Sequence, residues 1–294
     1  MQKRLLGNSG IEVSILGFGA GNIGDPAWDE GSAARLLHAV LDSGINLVDA
    51  ARSYGLAEER IGRHLKGRRS EAVLSTKVGY GVPGYQDWTG PCIAAGIDMA
   101  LRLLQTDFID VVHLHSCPQG TLEQGDVVRA LLEAKSAGKI RVAAYSGDNE
   151  PFDWALASGA FGSLQTSVNV CDQRAIDRAV VAAAKGIGII GKRTLANAPW
   201  LPSNRPPEAD QAAYDYRERW KTMALDTAGM DPSEFALRFS AYLPGVISCL
   251  VGTRSINHLR GNVRMVEAGP LPQSDAERIR DAFRAFGANW RGQV

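Results

Sequence analysis

A repeating unit constrains this chain more than any single motif. Eight short apolar runs rich in β-branched residues occupy 15–19, 45–49, 72–77, 109–115, 140–146, 163–168, 187–191 and 246–251. They lack the strict alternation of a half-exposed sheet and suit parallel strands covered on both faces. Helical spacing fills the intervals at 32–43, 57–65, 91–104, 122–137 and 174–185, and continues after the last run at 255–266 and 274–286. In the first of these Leu36, Leu37, Val40 and Leu41 share a face, and glycines such as Gly67, Gly138 and Gly186 stand as stops. Before the last run, Asp231-Pro232-Ser233-Glu234 opens another helix: Asp231 caps, Pro232 fits the first helical position and Glu234 takes the place of a capping-box acid. Leu5-Leu6 and 11–13 flank the turn Asn8-Ser9-Gly10, which predicts a short N-terminal β-hairpin. The fold class expected is therefore α/β, a (β/α)8 TIM barrel with that hairpin and extra C-terminal helices. With no compositional break or linker, residues 1–294 are read as one domain. The longest irregular stretch, 194–210, carries Pro199, Pro202, Pro206 and Pro207; a loop of that length in a compact fold is often functional.

Composition removes several function classes. Lys plus Arg and Asp plus Glu are equal at 32 each, so the basic surplus of a nucleic-acid or membrane-surface protein is missing. No apolar run approaches the roughly 18 residues of a membrane helix. The basic start is cut short at Gly7, unlike a signal peptide. Cys92, Cys117, Cys171 and Cys249 have no paired spacing and read as reduced thiols of a cytoplasmic protein.

In a barrel of this kind chemistry sits at the C-terminal ends of the strands. The second run ends at Asp49, with Tyr54 in the loop just beyond; the third ends at Lys77, the fourth at His115. A cation beside a phenol favours its ionised form, and a carboxylate beside that cation keeps it charged. Tyr54 is then placed to give a proton to an oxygen gaining negative charge, with His115 orienting that oxygen. None of these groups is a nucleophile, so the missing reactant is a cofactor. Gly17 to Gly21 at the end of the first run let a ligand approach the backbone, and Gly252-Thr253-Arg254-Ser255 at a helix start offers N–H groups, a dipole and a cation to a phosphate.

The order and spacing of these segments resemble the aldo-keto reductase family. The matching motifs are Leu16-Gly17-Phe18-Gly19, Asn46-Leu47-Val48-Asp49-Ala50 with Tyr54-Gly55, Ser75-Thr76-Lys77, Asp107-Phe108-Ile109-Asp110 leading to His115, Gln165, and Gly252-Thr253-Arg254-Ser255 with Asn262. The resemblance implies hydride transfer between a nicotinamide and a small-molecule carbonyl or alcohol, with Asp49, Tyr54, Lys77 and His115 as the catalytic tetrad and Tyr54 as general acid. It implies cofactor contacts from Gly19, Asp49, Ser146, Gln165, Lys192, Gly252, Thr253, Arg254, His258 and Asn262. Substrate contacts are expected from Tyr54, His115, Trp28 and Trp88, the last two in loops on the mouth. The chain departs from the common pattern at Gly147-Asp148, where Asn149 is a substitute for the second carboxamide contact, and at Lys192-Arg193, where a tyrosine is frequent. Gly252 and His258 stand where a lysine and an arginine are frequent, while Arg254 and Arg260 remain to read a 2′-phosphate. NADP(H) is therefore preferred and NAD(H) second; no metal is expected. Two rivals stand beside this reading. His113-Leu114-His115 has a metal-binding spacing, but His38, His64 and His258 lie in helical segments and supply no third ligand. A cofactor-sensing subunit of the same fold with slow turnover is the other.

Overall fold

The computed structural model describes residues 1–202 and 210–293. The expected hairpin is β1 (Lys3–Leu5) paired antiparallel with β2 (Glu12–Ser14). Eight parallel strands then close a barrel: β3 (Leu16–Gly19), β4 (Leu47–Asp49), β5 (Val73–Val78), β6 (Ile109–His115), β7 (Ile140–Ser146), β8 (Ser163–Ser167), β9 (Gly188–Lys192) and β10 (Val246–Val251), the last pairing back to β3. Each corresponds to one of the eight predicted runs, and only ends shift by a residue or two.

Strand parity sorts the side chains. Leu47, Val73, Val111, Val142, Ile190 and Leu250 point inward and form one apolar cluster with Leu6, Ile11 and Val13 of the hairpin. The hairpin thus plugs the N-terminal end of the barrel. The alternate residues, such as Val48, Leu74, Val112 and Ala143, belong to the larger outer cluster under the helices. A strand repeats every second residue, so the inward side continues from Leu47 to Asp49, from Val73 to Lys77, from Val111 to His115, from Val142 to Ser146 and from Ile190 to Lys192. An apolar floor at one end of the barrel rises to a polar layer at the other.

The helices are α1 (Glu30–Asp42), α2 (Ala57–Leu65), α3 (Gly90–Leu104), α4 (Gln119–Gln124), α5 (Asp126–Ser136), α6 (Asn149–Ser158), α7 (Ile176–Ala184), α8 (Gln211–Met223), α9 (Pro232–Ala241), α10 (Ile256–Glu267) and α11 (Gln273–Phe286). Asp231 caps α9 through its side chain, as its sequence indicates. Three points correct the expectation. The segment 122–137 is two helices, because Gly125 adopts φ +81° and breaks the turn between them. Helix α6 has no counterpart in the sequence reading: its buried stripe is only Phe152, Ala155 and Leu156, and Pro151 disguises its first turn. Helix α8 also went unforeseen, since Tyr216, Arg219 and Met223 are the residues it buries and the rest are polar. Of the long segment at 194–210, Thr194, Leu195, Asn197 and Ala198 line the mouth, while 203–209, with Pro206 and Pro207, lie outside the described residues.

Leu6 is fully buried in the plug, far from the polar end. Leu6→Ala is expected to cost about 2–4 kcal/mol of stability by leaving a cavity in the barrel floor. Urea unfolding checks this; a loss below about 0.5 kcal/mol, well under the range for such truncations, would mean the floor re-packs freely.

Candidate active site

One cavity of about 640 Å³ opens at the C-terminal end of the barrel, and Asp49, Tyr54, Lys77 and His115 all line it. Strand register sets the first contacts: Gly19 pairs with Asp49, Asp49 with Ser75, Lys77 with His113, and His115 with Ser146. Lys77 and Asp49 are buried and form an ion pair, Nζ to Oδ2 at 2.6 Å. Lys77 Nζ also donates to the Ala50 carbonyl at 2.6 Å. Asp49 Oδ1 accepts from Ser75 Oγ at 2.7 Å and from Gln165 Nε2 at 3.0 Å, so its carboxylate is fully engaged. Gln165 Oε1 in turn accepts from Ser146 Oγ at 2.9 Å.

These contacts hold the charges in place. Burial opposes ionisation of Asp49, but the Lys77 ammonium and the hydrogen bonds outweigh it and hold the carboxyl below its usual range. Burial likewise opposes the Lys77 ammonium; Asp49, and then Tyr54, overcome it and raise the amine. The Lys77 Nζ lies 4.9 Å from the centre of the Tyr54 ring.

Backbone packing places Tyr54. Its loop lies against the loop after β3, where Leu56 N donates to the Gly24 carbonyl at 2.9 Å. Gly55 has φ +53°, and a Cβ there would fall 2.3 Å from the Gly24 oxygen. A Cβ on Gly24 would meet the Tyr54 oxygen at 1.6 Å. Both glycines are therefore required for the approach that sets Tyr54 at the cavity wall.

The two histidines of β6 lie at different depths. His113 is fully buried below the site, with Nε2 3.1 Å from Ser75 Oγ, and burial pushes it down to about 4. His115 lines the cavity, with its ring edge-on to Tyr54 at a centroid distance of 6.1 Å. Burial, with Lys77 and Lys192 nearby, lowers it to about 3, so it is neutral at physiological pH. Its Nδ1 is 2.8 Å from the Tyr80 hydroxyl.

The remaining expected residues divide. Gly19, Ser146, Gln165, Lys192 and Gly252 also line the cavity. A Cβ on Gly252 would lie 3.0 Å from the Gly19 oxygen and 3.3 Å from Asn22 Nδ2, so the rim is a bare-backbone cradle. Lys192 pairs with the buried Asp148 at 2.8 Å, an acid the sequence reading passed over. Burial is the largest influence on the Lys192 amine and lowers it despite that partner. Thr253, Arg254, His258 and Asn262 stand outside the cavity wall, around the start of α10, where Ser255 accepts from the His258 N–H. Arg254 donates to the Asn22 carbonyl at 2.9 Å and pairs with Asp25 at 2.8 Å. Asn149 faces away from the cavity: its side chain makes a two-way bond with the Gly292 backbone, at 2.9 and 2.8 Å, and does not reach the place expected of it. Trp28 and Trp88 are not on the cavity wall either. Trp28 packs on the core under Arg254, whose guanidinium is 5.7 Å from its ring centre, and Trp88 packs behind Tyr80 at 5.6 Å. In their stead Ser116, Arg193, Leu195 and Asn197 edge the opening.

The donor set suits a dinucleotide: an amide and a hydroxyl joined at the wall, a glycine cradle, and cations at the helix start beyond it. Comparison with known proteins agrees. The model of the aldo/keto reductase family matches residues 15–284, and the chain belongs to that family. It is 29% identical over 284 residues to L-galactose dehydrogenase of Arabidopsis thaliana, covering 90% of this chain and 88% of that protein. It is 27% identical over 305 residues to a protein of Oryza sativa subsp. japonica named "Probable voltage-gated potassium channel subunit beta", covering 92% and 93%. Among solved structures it superposes on the aldo-keto reductase AKR11C1 from Bacillus halodurans (holo form) with a TM-score of 0.84, 29% identity and 96% coverage of both chains. Family membership implies NAD(P)H-dependent oxidoreduction of carbonyl compounds. No helix among the described residues is long and apolar enough to cross a membrane.

Because His113 is neutral when folded, the unfolded chain takes up the extra proton as pH falls below about 6.5. Stability is then lost between pH 6.5 and about 4, on the order of 3 kcal/mol from this residue, with His115 acting in the same direction. Urea unfolding across pH 4–7 is expected to show a shallower slope for His113→Asn than for the unaltered chain. Identical slopes would refute the neutral, buried state of His113.

Proposed function

We propose that this chain is an NAD(P)H-dependent carbonyl reductase in which Tyr54 is the general acid. The observation that carries this reading is the convergence of Tyr54 with the buried Lys77–Asp49 pair and a neutral His115 on one cavity. A nicotinamide held against Ser146, Gln165 and Gly19 would exchange a hydride with the carbonyl carbon of the substrate. Tyr54 gives its hydroxyl proton to the carbonyl oxygen as negative charge develops there. Lys77 stabilises the phenolate left behind; Asp49 keeps Lys77 charged and fixed. His115, uncharged, donates a hydrogen bond that orients the same oxygen. In alcohol oxidation the proton runs back to Tyr54.

NADPH is the preferred cofactor in this reading and NADH the second. Arg254 and Arg260 bring two cations to the start of α10. The Arg254–Asp25 pair is exposed on both sides, and pairs of that kind contribute about 0–1 kcal/mol, so a 2′-phosphate displaces Asp25 at little cost. The polar rim of Ser116, Arg193 and Asn197, together with the name of the Arabidopsis relative, supports a hydroxylated substrate of sugar size.

Tyr54→Phe is expected to lower the rate of carbonyl reduction at least about a hundredfold while leaving NADPH binding, followed by tryptophan fluorescence, within about twofold. Full activity in the variant would remove Tyr54 from the mechanism. Micromolar binding of NADPH with no turnover on any aldehyde, ketone or sugar would favour instead the alternative of a cofactor-sensing subunit; the rice relative is named as a channel subunit.

A further inference from the structure

We propose that Tyr80 is a positioning residue for the reaction: its hydroxyl donates to Nδ1 of His115 and so fixes the tautomer that presents Nε2–H to the substrate. The inference rests on the reading of His115 as the orienting donor. Tyr80 stands in the loop after β5, half-buried, and its ring stacks on that of His115, with planes 19° apart and centroids at 5.6 Å. The Tyr80 Oη lies 2.8 Å from His115 Nδ1, the distance of a well-formed hydrogen bond. The other polar partner within reach of Tyr80 is Ser53 Oγ at 3.4 Å, near the limit of any hydrogen bond. A phenol proton directed to Ser53 would sit in the weaker of the two bonds, so it belongs to Nδ1, and Ser53 can donate in return.

The consequence follows from imidazole chemistry. A neutral ring carries one N–H; if Nδ1 accepts, Nε2 must be the donor. That nitrogen has no protein partner among the described residues, and His115 lines the cavity, so the N–H is left for a ligand. The reverse tautomer would turn a lone pair toward the carbonyl oxygen and repel it.

The loop is built to hold Tyr80 there. Gly79 has φ +144°, and a Cβ on it would fall 2.2 Å from Trp88 Cζ3. Trp88, itself at φ +60°, donates its backbone N–H to the Gly79 carbonyl at 2.8 Å and packs its indole on the back of Tyr80. Trp88 therefore buttresses the tyrosine that holds the histidine, rather than meeting the substrate.

The test is Tyr80→Phe in the full-length chain, which keeps the ring and removes the hydroxyl. With histidine labelled in ¹⁵N, two-bond proton–nitrogen correlations read the tautomer, and the His115 signals are identified by their loss in His115→Asn. The unaltered protein is expected to show Nε2–H at His115. Tyr80→Phe is expected to populate the Nδ1–H form and to lower kcat for reduction about fivefold, the scale of one hydrogen bond, with NADPH affinity unchanged. Ser53→Ala should leave the tautomer as it is. An Nδ1–H signal in the unaltered protein, or a tautomer indifferent to Tyr80→Phe, overturns the proposal whatever the activity. A changed tautomer with unchanged kcat supports the hydrogen bond and overturns its role in the reaction. Absence of any turnover, with the tautomer shift intact, tells against the proposed function and not against the Tyr80 contact.

Discussion

The buried contact between Lys77 and Asp49 organises the mouth of this barrel. Taking two charges out of water costs several kcal/mol per ion, and their attraction offsets that only when the remaining hydrogen-bonding capacity is also met. Here it is. Asp49 is bound by Lys77, Ser75 and Gln165, and Lys77 by Asp49 and the Ala50 carbonyl. The partners come from three strands, so the pair cannot form unless β4, β5 and β8 are in register. A well-packed apolar pair would stabilise the barrel at least as well. What the ion pair adds is a fixed cation beside an aromatic hydroxyl at the wall of a cavity.

Strand parity makes this arrangement possible with very little sequence. Inward positions are apolar at the hairpin end, hydroxyl- or imidazole-bearing in the middle at Ser75 and His113, and carry Asp49, Lys77, His115, Ser146, Gln165 and Lys192 at the mouth. The glycines at 24 and 55 then bring two loops into backbone contact, and Tyr54 is delivered to the edge of that layer. The floor and the outer cluster supply the hydrophobic stabilisation; the mouth gives some of it up for polar groups, and its lysines Lys77 and Lys192 are each paired with a buried carboxylate.

Much of this was legible in the chain. The eight runs could be read because strands buried on both faces leave an unambiguous apolar signature, and Asp49, Lys77 and His115 could be placed because they end such runs. Tyr54 was legible from Gly55 beside it. Less visible were elements whose burial is small or polar. Helix α6 hides behind Asn149 and Pro151, and α8 buries an arginine and a tyrosine rather than an aliphatic stripe. In the loops, side-chain direction depends on backbone torsions that composition does not reveal. Trp88 looks like a rim aromatic until the φ values of Gly79 and Trp88 turn it behind Tyr80. Arg254 looks like a free cation until Asp25, over two hundred positions away in sequence, is brought to it. Asp148 reads in the sequence only as a departure from a frequent pattern, and its pairing with Lys192 emerges from the fold.

Burial, with two nearby cations, explains why the histidines are neutral. Two ammonium groups, Lys77 and Lys192, face the cavity region, and each is matched by one buried carboxylate, Asp49 and Asp148. Burial depresses His113 and His115 most; Asp49 favours an imidazolium at both, but burial and the two cations outweigh it. A neutral His115 can give a hydrogen bond to a carbonyl oxygen but does not compete to give it a proton. In the proposed reaction the acid role is assigned to Tyr54, because Lys77 and Lys192 are held in ion pairs and the neutral His115 keeps its single N–H. In that proposed division of labour, burial and the strand ends that carry lysine and aspartate together set which groups at the mouth are charged.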